Sequence, residues 1–89
     1  MKAAKLVAWN LRRLRVQRSL SQEALAADAE IDRSYLGRLE RAEENPTIGV
    51  LERIANTLDY KIGEFFKPPG KNDPPPRPLP SGRRKLNQR

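Results

Sequence analysis

The 89-residue sequence contains no cysteine and no histidine. Disulfide scaffolds, Cys/His zinc sites and catalysis by a thiolate or an imidazole base are therefore excluded. No apolar run approaches the roughly 20 residues of a membrane span, and the first residues lack the long apolar segment of a signal peptide. No nucleophile–base pair is evident either. The sequence predicts a cytoplasmic protein that is not an enzyme and that needs no metal, cofactor or membrane.

The net charge of +7 suggests a polyanionic partner, but the charge is unevenly distributed. Residues 1–20 carry six basic groups and no acid, whereas residues 21–44 carry three basic and seven acidic groups. Residues 68–89 carry six basic groups and one acid. Because residues 1–67 have a net charge of only +2, bulk charge is a weak guide to nucleic-acid binding by this part of the chain.

Proline is scarce except near the end, where seven of the eight prolines lie between Pro68 and Pro80. Such a composition cannot build a core and is typical of a semi-extended linker. We expect a folded domain over residues 1–66 and a disordered, Pro-rich, basic tail over residues 67–89. The run PPPRPLP is interpreted as a spacer rather than a recognition ligand. The basic end of the tail would add sequence-independent affinity for a duplex.

The first 66 residues have apolar side chains at helical spacing, which predicts an all-α fold. Ser21 and Asp32 are N-cap candidates, and three residues, Ala29 to Ile31, separate the second predicted helix from the third. Two short helices joined by such a turn form a helix-turn-helix, whose second helix can enter a major groove. The five predicted helical segments are Lys2–Arg18, Gln22–Asp28, Asp32–Arg41, one that Pro46–Thr47 opens and that carries a strong apolar stripe, and a last turn at Lys61–Phe66.

Several segments occur together in an order that resembles the Cro/CI-type helix-turn-helix regulators of bacteria and phages. They are LRRLR, LSQEALA, DRSYL, Asn45-Pro46 and LERIANTL, spread over residues 6–66. The run DRSYLGRLERAEENPT is also similar to the small controller proteins of restriction–modification systems. The resemblance implies a five-helix, lambda-repressor-like domain that acts as a nucleoid-associated transcriptional regulator. It would bind an inverted-repeat operator in double-stranded DNA as a homodimer, without a small-molecule ligand.

The resemblance makes the third helix, residues 32–41, the one that reads bases. Its outward positions would hold the base-contacting residues, and the helical period agrees, because 33, 34, 37 and 38 share a face opposite Leu36 and Leu39. Asp32 is interpreted mainly as an N-cap. At Gly37 two interpretations stay open, a close approach of the backbone to DNA or relief of crowding against a neighbouring helix. The predicted base-contacting residues are Asp32, Arg33, Ser34, Gly37 and Arg38.

The resemblance also assigns residues that would hold the DNA backbone. Gln22 would hydrogen-bond a phosphate at the start of the second helix, and Arg41 and Asn45 would do so from the loop after the third. Arg13 is a further candidate near the phosphates. Arg15 and Glu40 match a family pair that forms a partly buried salt bridge, so they are expected to be structural.

Four positions depart from the family pattern. Ser19, Glu30 and Ala42 stand where relatives commonly have glycine, in turns that favour a left-handed backbone, and each should cost roughly 1 kcal/mol. Glu44 stands where relatives often have a basic residue. One phosphate contact is therefore expected to be missing.

The alternative function is that of an antitoxin-like protein–protein module, in which the Pro-rich tail wraps a partner protein. The acidic middle segment and the three replaced glycines leave room for this alternative. The aromatic residues Trp9, Tyr60, Phe65 and Phe66 likewise have two interpretations. They either pack within the core or lie partly in a two-fold dimer interface, since so small a core can hardly enclose them all.

Overall fold

The computed structural model describes residues 2–70, and the Pro-rich tail from Lys71 onward lies outside the described residues. Within residues 2–70 the chain forms four α-helices, one 3₁₀ helix and no β-strand. The all-α prediction is confirmed, although the fifth predicted helix is a 3₁₀ helix rather than an α-helix. The elements are α1 (Ala3–Gln17), α2 (Gln22–Ala29), α3 (Arg33–Glu40), α4 (Ile48–Leu58) and the 3₁₀ helix (Ile62–Phe66).

Three helices begin at a side-chain cap. The Ser21 hydroxyl, an Asp32 carboxylate oxygen and the Thr47 hydroxyl each accept a hydrogen bond of 3.0 Å from the backbone N–H three residues later. These bonds satisfy N–H groups that have no partner within the helix. The predicted caps of α2 and α3 are confirmed, and they fix the residues at which the two helices of the helix-turn-helix begin.

All four α-helices end in the same type of turn. A left-handed residue follows each helix, and a backbone hydrogen bond then spans five residues, as from Ile31 N–H to Ala26 C=O at 3.0 Å. At all four positions the residue has a Cβ, for which the left-handed conformation is less favourable than it is for glycine. The left-handed residues are Ser19, Glu30, Ala42 and Asp59, with φ of 59°, 60°, 62° and 63°. The first three are the positions at which the sequence departs from glycine, and the fourth was not predicted.

The core lies between the helices, with α2 packed against α3 and α4, and with the 3₁₀ helix packed against α1 and α4. Leu36 and Leu39 attach one face of α3 to this core, which leaves the opposite face of α3 outside. The apolar stripe predicted for α4 is buried apart from Val50, which is partly buried against the core. Fully buried side chains include Leu11, Leu14, Leu25, Leu36, Ile54, Leu58 and Phe65.

A buried asparagine in α1 holds the end of the described chain. The Asn10 side-chain amide donates to the carbonyl oxygens of Phe65 and Lys67, both at 2.8 Å. The fold therefore includes the Lys67 carbonyl. Of the aromatic residues at this end, Phe65 belongs to the core, whereas Phe66 is 46% exposed.

Two kinds of feature are missing from the part of the chain that the structure describes. None of its helices has both the length and the apolar character that a membrane crossing needs. No three His, Cys, Asp or Glu side chains within residues 2–70 are grouped so that they could hold a metal ion.

Candidate nucleic-acid interface

The outward face of α3 carries most of the residues that the sequence singled out. α2 and α3 are joined by residues 30–32, and α3 then spans only two turns. Arg33 and Ser34 are exposed at its start, and Arg38 is half-buried near its end. The Asp32 carboxylate caps the helix but remains exposed, so one of its oxygens can still meet a base.

Gly37 is buried, although it lies on the outward face of α3. A Cβ added there would lie 3.1 Å from Nη1 of Arg33, 3.4 Å from Nη1 of Arg41 and 3.8 Å from Oε1 of Gln22. The space above Gly37 is thus filled by the tips of three polar side chains and not by the backbone of a neighbouring helix. This arrangement argues against relief of helix–helix crowding. It gathers two guanidinium groups over the middle of α3.

The Gln22 side chain is oriented from inside the domain. Its Nε2 donates to Oε1 of Glu40 at 2.9 Å, which leaves its Oε1 on the side of Gly37. Glu40 is in turn held by Arg15, whose Nε and Nη2 donate to the carboxylate at 2.6 and 2.9 Å. The remaining Arg15 Nη1 donates to the Leu20 carbonyl at 2.8 Å. A buried chain of hydrogen bonds therefore runs from α1 through the end of α3 to the start of α2.

Arg38 has an acidic partner that the sequence did not reveal. Its Nε donates to Oε2 of Glu44 at 2.7 Å, and its Cζ lies 5.9 Å from the centre of the Tyr35 ring. The hydrogen bond to Glu44 is the main cause that raises the pKa of Arg38. The pKa of Tyr35 is also raised, first by partial burial and then by the negative charge of Glu44, while Arg38 opposes the shift. Relatives often have a basic residue at position 44. Here the position is acidic, and Glu44 forms an ion pair with Arg38 of the same chain.

The other predicted backbone-contacting residues are more scattered. Arg41 pairs with Glu43 at 3.3 Å, and Asn45 is exposed in the loop that follows. Arg13 donates to the Asn10 oxygen at 3.2 and 3.0 Å, so its partner belongs to the end of the fold that holds the 3₁₀ helix. The structure groups Arg33, Gly37 and Arg41 with Gln22, and it places Arg13 with a different set of contacts.

Comparisons with known proteins agree with this geometry. The HTH_3 helix-turn-helix family matches residues 11–65. The HTH-type transcriptional regulator SutR of Escherichia coli is 35% identical over 66 residues, which are 74% of this chain but only 37% of SutR. The chain thus spans little more than a third of that relative.

Two solved structures share the fold over most of their length. The hypothetical transcription factor NHTF from Neisseria superposes with a TM-score of 0.74 at 31% identity, over 76% of this chain and 78% of NHTF. The restriction–modification controller protein C.AhdI from Aeromonas hydrophila gives 0.69 at 36% identity, over 71% of this chain and 96% of C.AhdI. With its capped α2 and α3 and the family match over residues 11–65, the chain belongs to the HTH_3 helix-turn-helix family of DNA-binding transcriptional regulators.

Proposed function

We propose that the chain is a sequence-specific regulator that places α3 in the major groove and binds an inverted-repeat operator as a homodimer. The observation that carries this proposal is the pair of guanidinium groups from Arg33 and Arg41 gathered over Gly37. Side chains of α3 can reach base edges only if the helix backbone lies close to the groove. Because Gly37 has no side chain of its own, only the movable tips of Arg33, Arg41 and Gln22 lie between the middle of α3 and the groove.

The outward face divides into residues that read bases and residues that hold phosphates. Arg33 and Ser34 extend from the first turn of α3, the part of a recognition helix that meets base edges. Arginine presents a planar pair of donors that matches O6 and N7 of guanine. Gln22, at the N-terminus of α2, lies beside backbone N–H groups that favour a phosphate.

The homodimer is supported by the apolar surface at the end of the described chain. Phe66 is 46% exposed in the 3₁₀ helix, although a large apolar side chain is ordinarily stabilised by burial. A second copy that covers Phe66 would bury it. Two-fold symmetry would then set the two copies of α3 about 34 Å apart, on successive turns of one face of the duplex.

Selection of bound sequences from a random duplex pool tests the proposal. We expect enrichment of an inverted repeat whose half-sites lie about 10 base pairs apart, centre to centre. Enrichment of one half-site would contradict the dimer and leave α3 as the reader. Binding without enrichment would contradict sequence-specific recognition. No binding at low salt would instead favour the antitoxin-like protein module.

The same selection with Arg33→Ala tests whether α3 reads the bases. We expect the consensus to lose its preference at one or two base pairs of each half-site, because each half-site would lose one bidentate donor. Lys5→Ala is the matched control, since it removes one positive charge from an exposed position in α1. An unchanged consensus with Arg33→Ala would show that this arginine does not read a base.

A further inference from the structure

The loop after α3 places two acidic side chains beside two arginines, Arg38 near the end of α3 and Arg41 directly after it. The Glu44 carboxylate lies 2.7 Å from Nε of Arg38, and the Glu43 carboxylate lies 3.3 Å from Nε of Arg41. The first pair is shorter and less exposed than the second. The Arg38–Glu44 pair is therefore the one whose geometry is well defined.

The path of the backbone explains how Glu44 reaches a residue six positions earlier. Ala42 adopts the left-handed conformation, with φ of 62°, and the Glu43 N–H bonds the Arg38 carbonyl at 2.9 Å. This turn reverses the chain at the end of α3. The residue that follows it lies beside the side chain of Arg38.

The contact leaves one edge of the guanidinium available. Glu44 takes the Nε of Arg38, the Tyr35 ring lies near the guanidinium carbon, and the two Nη atoms have no partner among the described residues. Two Nη atoms in one plane form the donor pair that fits guanine. The carboxylate thus fixes the orientation of the arginine without blocking its reading edge.

The pair has a different effect on phosphate binding. Sequence-independent affinity arises because each phosphate that a basic group neutralises releases condensed counterions. An arginine whose charge is already balanced by a carboxylate gains little electrostatic energy from a phosphate contact, and the carboxylate itself repels the phosphate. A base edge carries no such net charge. The carboxylate therefore weakens a contact between Arg38 and guanine much less than it weakens a contact with a phosphate.

We propose that Glu44 is a specificity-determining residue that acts through Arg38. It holds the guanidinium by Nε so that the Nη edge faces a base, and it suppresses the attraction of Arg38 to phosphates of unrelated DNA. This inference rests on the proposed function, because it requires that α3 read an operator. Glu44 would then determine the ratio of operator affinity to random-duplex affinity.

Two substitutions separate the charge of Glu44 from its hydrogen bond. Glu44→Gln removes the charge and keeps an oxygen that can accept from Nε, whereas Glu44→Ala removes both. Glu52→Gln is the matched control, because Glu52 is exposed on α4 and has no ion-pair partner within residues 2–70. Affinity is measured for each protein on the selected operator, its single-base variants and a random duplex, across a range of salt concentrations.

We expect Glu44→Gln to bind random duplex about five- to tenfold more tightly at 0.1 M salt, with the log–log salt slope steeper by about 0.9 for each added phosphate contact. Operator affinity should rise less, since Arg38 is already engaged there, so the specificity ratio falls. Glu44→Ala should lower the ratio further and flatten the preference at the base pair that Arg38 reads. Glu52→Gln should leave the ratio unchanged.

Each other result overturns part of the inference. If random binding by Glu44→Gln changes no more than with Glu52→Gln, Glu44 does not suppress phosphate attraction. If operator and random affinities rise equally, Glu44 only repels DNA and sets no specificity. If Glu44→Ala keeps the preference of Glu44→Gln, the hydrogen bond does not orient Arg38. In these cases the proposed function stands, whereas wild-type protein that binds no DNA removes both proposals.

Discussion

Two arginine–carboxylate pairs involve α3, and they differ most in burial, although only Arg15 also donates a second hydrogen bond to its carboxylate, through Nη2. The Arg15–Glu40 and Arg38–Glu44 pairs join the same atom types, Nε and Oε2, at 2.6 and 2.7 Å. The side chains of the first pair are 6% and 3% exposed, and those of the second are 43% and 29% exposed. One pair faces the core and the other faces solvent.

This difference determines what each pair can do. Removal of one partner from a buried pair leaves a charge without water or a counter-ion, which is very unfavourable. An exposed pair is screened by water and salt, and its partners can be exchanged at little cost. The Arg15–Glu40 pair is therefore suited to fix α3 against α1. The Arg38–Glu44 pair is suited to open when another partner approaches.

The largest expected effect is at the buried pair. Glu40→Ala should lower the free energy of unfolding by about 3–5 kcal/mol, because Arg15 would stay buried without its carboxylate and Gln22 would lose its acceptor. Urea denaturation measures the loss, and Glu44→Ala under the same conditions is the matched comparison. Similar losses for both variants would break the distinction between the pairs.

At the exposed pair we expect a loss of recognition without a comparable loss of stability. Arg38→Ala should change the melting temperature little, since the Arg38 side chain is 43% exposed and its ion pair is screened by water. It should reduce discrimination at one base pair by roughly 5- to 150-fold, the range of a bidentate arginine contact. Titrations against the operator and its single-base variants at one salt concentration measure this effect. A large fall in melting temperature would show that the exposed pair is structural as well.

Gly37 gives a further test of the difference between buried and exposed arginines, because the side chains that cover it on the outward face can move. Gly37→Ala should stabilise the domain by up to about 1 kcal/mol through helix propensity, since the nearest atoms are guanidinium tips that can shift by a few tenths of an ångström. DNA affinity should fall, because Arg33 and Arg41 would be displaced. Thermal melting and duplex titration are compared on the same sample. Lower stability would mean that these guanidinium groups are held as firmly as the buried pair.

The smallest expected effect concerns the turn before α3, which belongs to neither pair. Glu30→Gly should stabilise the domain by about 0.5–1 kcal/mol, because glycine relieves the left-handed backbone at φ of 60°. Glu30→Ala is the control, as it removes the side chain and keeps the strain. Equal melting temperatures for the two variants would contradict the backbone explanation. Neither variant should alter the base preference.

The sequence predicted the features that local chemistry determines. The caps at Ser21 and Asp32 follow from residue type, whereas the left-handed turns at Ser19, Glu30 and Ala42 were expected from the resemblance to a family that has glycine there, and all five are observed. The left-handed Asp59 was missed because its position carried no departure from a family glycine. Aspartate also tolerates this conformation better than most residues.

Contacts that depend on the path of the chain were harder to predict from the sequence. The hydrogen bond from Gln22 to Glu40 spans 18 positions and requires α2 and α3 to be docked. The Arg38–Glu44 pair spans six positions, which no helical period joins, and it forms because Ala42 reverses the chain. Only the left-handed turn at Ala42 could have indicated it. The Arg13–Asn10 contact has a regular spacing of three, but its location depends on Phe65 and Lys67.

The Asn10 amide has a consequence for how the domain opens. Its hydrogen bonds to Phe65 and Lys67 span 55 and 57 positions, whereas the helix caps span three. Such distant contacts form only after a long loop has closed, and they are lost when either end of that loop unfolds. The first helix and the 3₁₀ helix therefore form one cooperative unit for local unfolding, and their slowest amide protons should exchange with solvent at a common rate.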